Sequence, residues 1–455
     1  MSSWIALLRR LAASAAARGV GITFAARVTG AALGFGTHLI LARLAGASEY
    51  GTYSLAYAVC STLAVGAALG FPQAVVRFVP EYAEDNRWRS LQGLVRRGEQ
   101  LGLTTATTIA VLGTVAAWLL GASPFPPPGG LSETVSWTSS AAGVLVGLWI
   151  LPAFVMMNLY TELCRSVDRF AAAYVLPRFV HPLLLLAGIT TLYVLPQTSL
   201  TGVKTAGLVG ILALPVALVQ RWTFWKRIPA SSTGKRTFET RYWLSVALPM
   251  LLVRGFLTLL EQTDVLLVGW MLDAEAAGLY KAASTLAGPV SFVFAALNAV
   301  AAPRFARLHA AGNTDELRRF IRILAHASFW PTLLAGLVVV VGADVFLGLF
   351  GPAFTTQTVP LTLLVAGHVV NAGTGAVGYL LNMTGNHRTS ARVYGTAALA
   401  NVGANAVGIW LFGLPGAALA TLLSVILWNV WLHRLVSRIL GLRPSIFSAF
   451  LRTDG

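Results

Sequence analysis

Long apolar runs, each closed by charge, glycine or proline, recur from one end of the chain to the other. Crossing a bilayer takes about 20 consecutive, mostly apolar residues, whereas a soluble core helix is shorter and keeps a polar face. Twelve runs meet the membrane requirement: residues 19–44, 51–71, 100–120, 138–160, 172–195 and 203–223, then 243–270, 278–300, 323–346, 358–382, 391–412 and 415–435. The pattern predicts an all-α integral membrane protein with twelve transmembrane helices.

Composition agrees and removes a function class. Of 455 residues, 56% are apolar and 11% charged, and the mean hydropathy is +0.71. Soluble domains carry about 25% charged residues, so a water-soluble enzyme is excluded. The net charge of +16 would point to nucleic acid in a soluble protein, but this chain lacks the polar surface that such binding needs.

The position of the basic residues supplies their meaning, because Lys and Arg stay on the cytoplasmic side of short loops. With the N-terminus inside, 27 of the 33 Lys and Arg residues fall in cytoplasmic segments. Three fall outside (Arg43, Lys204, Lys281) and three inside helices (Arg27, Arg178, Arg254). Both termini are therefore expected in the cytoplasm and the protein in the cytoplasmic (inner) membrane. Arg9 and Arg10 follow the short apolar stretch Trp4 to Leu8, so no cleaved signal is expected. Residues 1–18 read instead as a basic interfacial segment.

A shift of 227 residues superposes Arg27 on Arg254, Gly51 on Gly278, Tyr53 on Tyr280, and Arg77-Phe78 on Arg304-Phe305 without a gap. Six helices per half is an even number, so the halves are parallel repeats related by an axis along the membrane normal. The expected organisation is two parallel six-helix bundles: an N-lobe at 19–225, a polar cytoplasmic linker at 226–242, a C-lobe at 243–440 and a cytoplasmic tail at 441–455. Such bundles are a transporter architecture, with the substrate path expected between them.

An ionisable side chain at the bilayer centre costs about 2.5–3.5 kcal/mol on insertion scales and usually faces a wet cavity or a partner. The first helix places Arg27 and His38 on one face, with Gly30 and Gly34 along the same stripe. The seventh places Arg254, Thr258, Glu261 and Asp264 on one face. Arg27 and Arg254 are candidates for holding an anion such as a diphosphate. The competing reading pairs Arg254 with Glu261 or Asp264 and lets Arg27 snorkel to an interface. Glu261 and Asp264 are candidates for a coupling proton or sodium ion, with a structural ion pair as the alternative.

Arg178 and His181 lie in the Pro-bracketed stretch Pro177-Arg178-Phe179-Val180-His181-Pro182, where interrupted backbone can line a cavity, although Arg178 can also sit near the cytoplasmic end. His38, His181 and His368 share no ligand spacing, so no metal is expected. Cys60 and Cys164 read as packing residues. No nucleotide-binding loop, zinc pattern or long outside loop is present, so neither a cofactor nor a catalytic domain is expected.

Four segments carry a family resemblance. They are Leu41 to Tyr53 (LARLAGASEYGTY) with Arg77-Phe78 downstream, Gln262-Thr263-Asp264 followed by Ala277-Gly278-Leu279-Tyr280, Met383 to Arg388 (MTGNHR), and Leu414 to Thr421 (LPGAALAT). In order and spacing they resemble the polysaccharide transporter (O-antigen and capsule flippase) branch of the multidrug, oligosaccharidyl-lipid and polysaccharide exporter superfamily. The resemblance implies a flippase that moves a polyprenyl diphosphate-linked oligosaccharide across the membrane. Membrane lipids, a proton or sodium ion, and a polymerase and glycosyltransferases of the same pathway are the implied partners.

Phe24 to Gly30 (FAARVTG) is also similar to the first helix of lipid II flippases, whose arginine at the position of Arg27 is a cavity residue. Those proteins carry a second arginine about two turns on, where this chain has Leu33 and Gly34, and two further helices. A surface-polysaccharide role is thus favoured over a peptidoglycan-precursor role. A cation-coupled multidrug exporter is the main alternative, and a polytopic polymerase or ligase a lesser one.

Overall fold

The computed structural model describes residues 15–119, 135–195, 199–229, 236–442 and 444–446; for 15–25, 27, 135–140, 299 and 387 it describes the backbone alone. Residues 1–14 of the interfacial segment expected at 1–18, the Pro-rich stretch 120–134, the centre of the linker at 230–235 and the tail beyond 446 lie outside the described residues.

Every regular element among the described residues is helical. In chain order these are α1 (Ala15–Ala67), α2 (Phe71–Glu84), α3 (Trp88–Leu119), α4 (Val135–Trp149), α5 (Leu151–Ser166), a π-helix (Ala171–Val180) running into α6 (His181–Val194), and α7 (Gly202–Trp225). Then follow α8 (Thr240–Met271), α9 (Ala274–Ala287), α10 (Phe292–Ala310), α11 (Thr314–Val341), α12 (Ala343–Phe350), α13 (Thr358–Thr374), α14 (Val377–Met383) and α15 (His387–Leu440). Nine helices among the described residues are long and apolar enough to cross a membrane, or ten when the bent α4–α5 pair counts as one span.

Two of the longest are reversed by glycine. Gly413 in α15 has φ +62° and ψ −135°, and beyond it the chain runs back antiparallel. Gly408 meets the Gly416 backbone there, and Asn401 Nδ2 donates to Ser424 Oγ at 3.0 Å across the two arms. Gly46 breaks α1 in the same way, with φ +82°, and returns Tyr50 and Tyr53 to His38.

The chain forms two compact units, Met1–Thr258 and Leu259–Gly455. In the first, Phe71, Phe78, Tyr82, Leu94, Tyr160, Phe224 and Trp243 share one core. Small residues let its helices touch: Gly147 lies against the Ala56 carbonyl, and Gly143 against Thr52. Glu49 accepts a hydrogen bond from Gly202 N at 2.7 Å, placing a carboxylate at the N-terminal end of α7, where the helix dipole favours it.

The stretch read from sequence as a linker packs into this first unit. Arg87 pairs with Glu239 at 2.8 Å, Arg97 Nε donates to Thr240 at 2.9 Å, and Trp243 Nε1 donates to Tyr82 at 2.9 Å. Gly93 and Gly70 admit the backbones of Thr237 and Ala247. The division between the units consequently falls within α8, past the polar segment.

In the second unit Phe305, Leu317, Ile321, Val377, Leu380, Leu432 and Val436 form the core. Asn429 accepts a hydrogen bond from Thr374 at 2.7 Å and joins α13 to α15.

Candidate substrate and ion sites

The first unit gathers arginines around one carboxylate. Gly30 of α1 meets the backbone of Arg178: a Cβ at residue 30 would lie 2.4 Å from the Arg178 carbonyl oxygen. Arg27, one turn earlier on α1, thereby has its backbone beside the Arg178 turn; its side chain lies outside the described residues. Arg178 occupies the π-helix, whose Pro177 offers no backbone N–H, and such wide turns often occur at functional positions.

Glu162 on α5 is the carboxylate. Arg165 Nη2 lies 2.7 Å from its Oε2, and both Arg178 and Arg254 lie within its electrostatic reach. Arg178 and Arg254 are exposed although they belong to apolar, membrane-length helices. A guanidinium in that position is poorly solvated by hydrocarbon and is satisfied by a polar partner, water or an anion. Arg165, Arg178 and Arg254 thus all contribute to the field at Glu162. Arg254 lies in the first compact unit with Arg178, on the N-terminal side of the division within α8.

The two candidate histidines are each in contact with a neighbouring segment. His181 is buried and its Nε2 lies 3.1 Å from the Val209 carbonyl, tying α6 to α7. His38 Nδ1 lies 3.1 Å from the Tyr50 hydroxyl, and the ring is edge-on to Tyr53. Tyr57 and Phe154 extend this aromatic row.

Asp264 organises the second unit's polar centre. Its Oδ2 accepts from the hydroxyls of Tyr280 on α9 and Thr421 on α15, both at 2.7 Å. Its Oδ1 is buried without a hydrogen-bond partner, as are the amide oxygens of Asn401 and Asn405. The Asn405 amide stands beside the carboxylate, and Lys281 feels the charges of both Glu261 and Asp264. Lys281, read from sequence as an outside-loop residue, lies within α9. Glu261 itself is exposed. Among the described residues no cluster of His, Cys, Asp or Glu could hold a metal ion, and Cys60 and Cys164 are free and buried.

Residues 16–309 match the family described as polysaccharide biosynthesis protein. The chain belongs to that family. A probable flippase AglR of Haloferax volcanii is 28% identical over 191 residues, which cover 40% of this chain and 39% of that relative. The chain thus matches well under half the length of this curated relative.

Among solved structures, the lipid II flippase MurJ in an inward closed conformation superposes with a TM-score of 0.68 at 14% identity, over 91% of this chain and 87% of that one. An inward-facing multidrug resistance MATE family transporter of the MOP superfamily gives 0.64 at 14% identity, over 90% and 95%. These likenesses establish a MOP-type transporter fold. With the apolar helices, they make this polysaccharide biosynthesis family member a multi-pass membrane protein.

Neither Glu162 nor Glu99 belongs to a pattern that marks it in the sequence. Yet Glu99 is buried and joins Arg96, Tyr160 and Arg221 from three helices. The available signal was a lone acidic residue just inside a basic cytoplasmic segment.

Proposed function

We propose that this protein is a flippase that moves a polyprenyl diphosphate-linked oligosaccharide, the repeat unit of an O-antigen, capsule or exopolysaccharide, across the cytoplasmic membrane. The observation that carries this reading is the gathering of Arg178 and Arg254 about Glu162, with the Arg27 turn of α1 held against Arg178 by Gly30. Guanidinium forks suit the oxygens of a multiply charged diphosphate. The proposed role is that of a transporter, in which the site offers charge to hold an anion.

In this reading the chain makes twelve spans, supported by ten membrane-length helical segments among the described residues, two of which are reversed at Gly46 and Gly413. They form two six-helix lobes with both termini in the cytoplasm, and transport proceeds by alternating access. His38, with its tyrosines, serves as a sugar-facing candidate because aromatic faces and hydroxyls suit carbohydrate rings.

Asp264 is the ion-coupling residue in this reading, with Glu261 and Lys281 tuning its field. Unpaired buried oxygens of Asp264, Asn401 and Asn405 suit a proton or a desolvated sodium ion, since hard cations take oxygen ligands.

The test is export of surface polysaccharide in a null strain complemented with expression-matched variants. Arg27→Ala, Arg178→Ala and Arg254→Ala are each expected to cut export by at least tenfold. Full export by all three would overturn the arginine mechanism. Asp264→Asn is expected to remove dependence on the sodium or proton gradient in vesicles; unchanged dependence would remove Asp264 from the coupling role. The buried carboxylate also fits a cation-coupled multidrug exporter, for which the arginine variants would leave efflux of cationic drugs intact.

A further inference from the structure

A second amphiphilic site lies on the first unit, apart from the Glu162 arginines. A groove of about 300 Å³ runs between α3, α5 and α7. One end is polar. Glu99, 4% exposed, accepts from Arg96 Nη1 at 3.2 Å and from Arg221 Nη1 at 2.9 Å, and it also hydrogen-bonds the Tyr160 hydroxyl. Trp225 Nε1 donates to the same hydroxyl at 3.3 Å, and the Arg221 guanidinium stands over the Tyr160 and Trp225 rings.

The other end is apolar. Leu103 and Leu218 line it and are 39% and 64% exposed. Both belong to membrane-length helices, whose exposed apolar side chains suit hydrocarbon.

The two ends match the two parts of a lipid. Arg96 and Arg221 keep 46% and 39% of their side chains exposed, and each guanidinium carries five N–H donors, of which Glu99 and Tyr160 take few. Two guanidiniums and one carboxylate give the polar end a net charge of about +1, which balances a single phosphodiester. The polar end also lies where α3 and α7 run into the basic segments around Arg89 and Lys226, whose charge marks the cytoplasmic leaflet.

We infer that this groove binds an anionic phospholipid of the surrounding membrane, with the phosphodiester between Arg96 and Arg221 and an acyl chain along Leu103 and Leu218. The charge argues for a bilayer phospholipid over the transported substrate. A diphosphate brings more negative charge than the groove can neutralise. The inference is independent of the substrate assigned above.

Native mass spectrometry of the full chain in detergent tests it, with phosphatidylglycerol and phosphatidylcholine of identical acyl chains as probes. Phosphatidylglycerol is expected to bind with one-to-one stoichiometry and phosphatidylcholine more weakly. Each of Arg96→Gln and Arg221→Gln is expected to weaken phosphatidylglycerol about fivefold. Leu218→Trp, which fills the apolar end from the lipid-facing side and leaves the Glu99 network intact, is expected to weaken both lipids.

Equal binding of the two lipids would overturn the inference, as would unchanged phosphatidylglycerol affinity in the Arg96→Gln and Leu218→Trp variants. Displacement of bound phosphatidylglycerol by equimolar undecaprenyl diphosphate would reassign the groove to the substrate and overturn the bilayer-lipid assignment. Displacement by millimolar inorganic phosphate alone would show an anion site without the acyl groove and overturn it too.

Discussion

At residue 30 a methyl group would sit 2.4 Å from the Arg178 carbonyl oxygen and 2.9 Å from its Cβ. The obstacle is largely backbone, so no flexible side chain can yield. Gly30→Ala is expected to separate α1 from the π-helix, at about 1–3 kcal/mol, and to lower export by displacing the Arg27 turn from Arg178. Gly34→Ala, where nothing lies within 4 Å, is expected to leave both unchanged. Thermal denaturation in detergent, paired with export, checks the contrast. The two glycines look alike in sequence, one turn apart on one stripe; only the neighbour at position 178, far along the chain, separates them. Asp264 was legible in sequence as a carboxylate in an apolar helix. Its partner Thr421 was not, because 157 residues intervene and a threonine opening a helix carries no distinguishing pattern. Tyr280→Phe removes one of the two hydroxyls on Asp264 Oδ2 and is expected to cost about 1–3 kcal/mol, since the carboxylate is buried. Chemical denaturation of that variant against Tyr242→Phe, at an exposed tyrosine that is half of an aromatic pair with Phe78, measures it.

Among the elements, the apolar runs were the most readable feature, because membrane solvation leaves a helix no choice of surface. The turns that reverse α1 and α15 were placed within a few residues by their glycines, Gly46 and Gly413. The entry to α8 was read differently. Its polar, basic composition resembles a linker, but what fixes it is tertiary: an exposed ion pair, Arg87–Glu239, and close packing of Thr237 on Gly93. These two contributions differ in weight. The ion pair is 43% and 30% exposed, and such pairs contribute about 0–1 kcal/mol, so Arg87→Ala is expected to be nearly silent. Gly93→Ala would bring a Cβ to 1.9 Å from the Thr237 carbonyl and is expected to loosen the segment before α8 by severalfold more. Limited proteolysis at the Arg and Lys residues of 226–241 reads the outcome: accelerated cleavage in Gly93→Ala, and little change in Arg87→Ala. Equal cleavage in the two would show that the segment is held by charge and not by packing.

For the whole molecule, the charge alternation and the folded helices make a joint prediction about sidedness. Of the 33 basic residues, 27 fall in segments assigned to the cytoplasm, and an extra or missing span would invert every segment after it. Two positions late in the chain are the most sensitive, since they accumulate any error in the count. Ala311 lies beside Arg307 and Arg318 just after α10, and Ala353 lies between α12 and α13, one span later; both are exposed. The native cysteines Cys60 and Cys164 are buried and free, so they give little background to a membrane-impermeant maleimide. In intact cells Ala353→Cys is expected to label from the medium, and Ala311→Cys only after the cytoplasmic membrane is opened. The reverse pattern would invert the topology, and labelling of both from one side would remove the span between them. The proposed arginine site carries the same dependence: in the proposed mechanism a diphosphate taken up from the inner leaflet meets Arg178 and Arg254 from the side on which Ala311→Cys reacts.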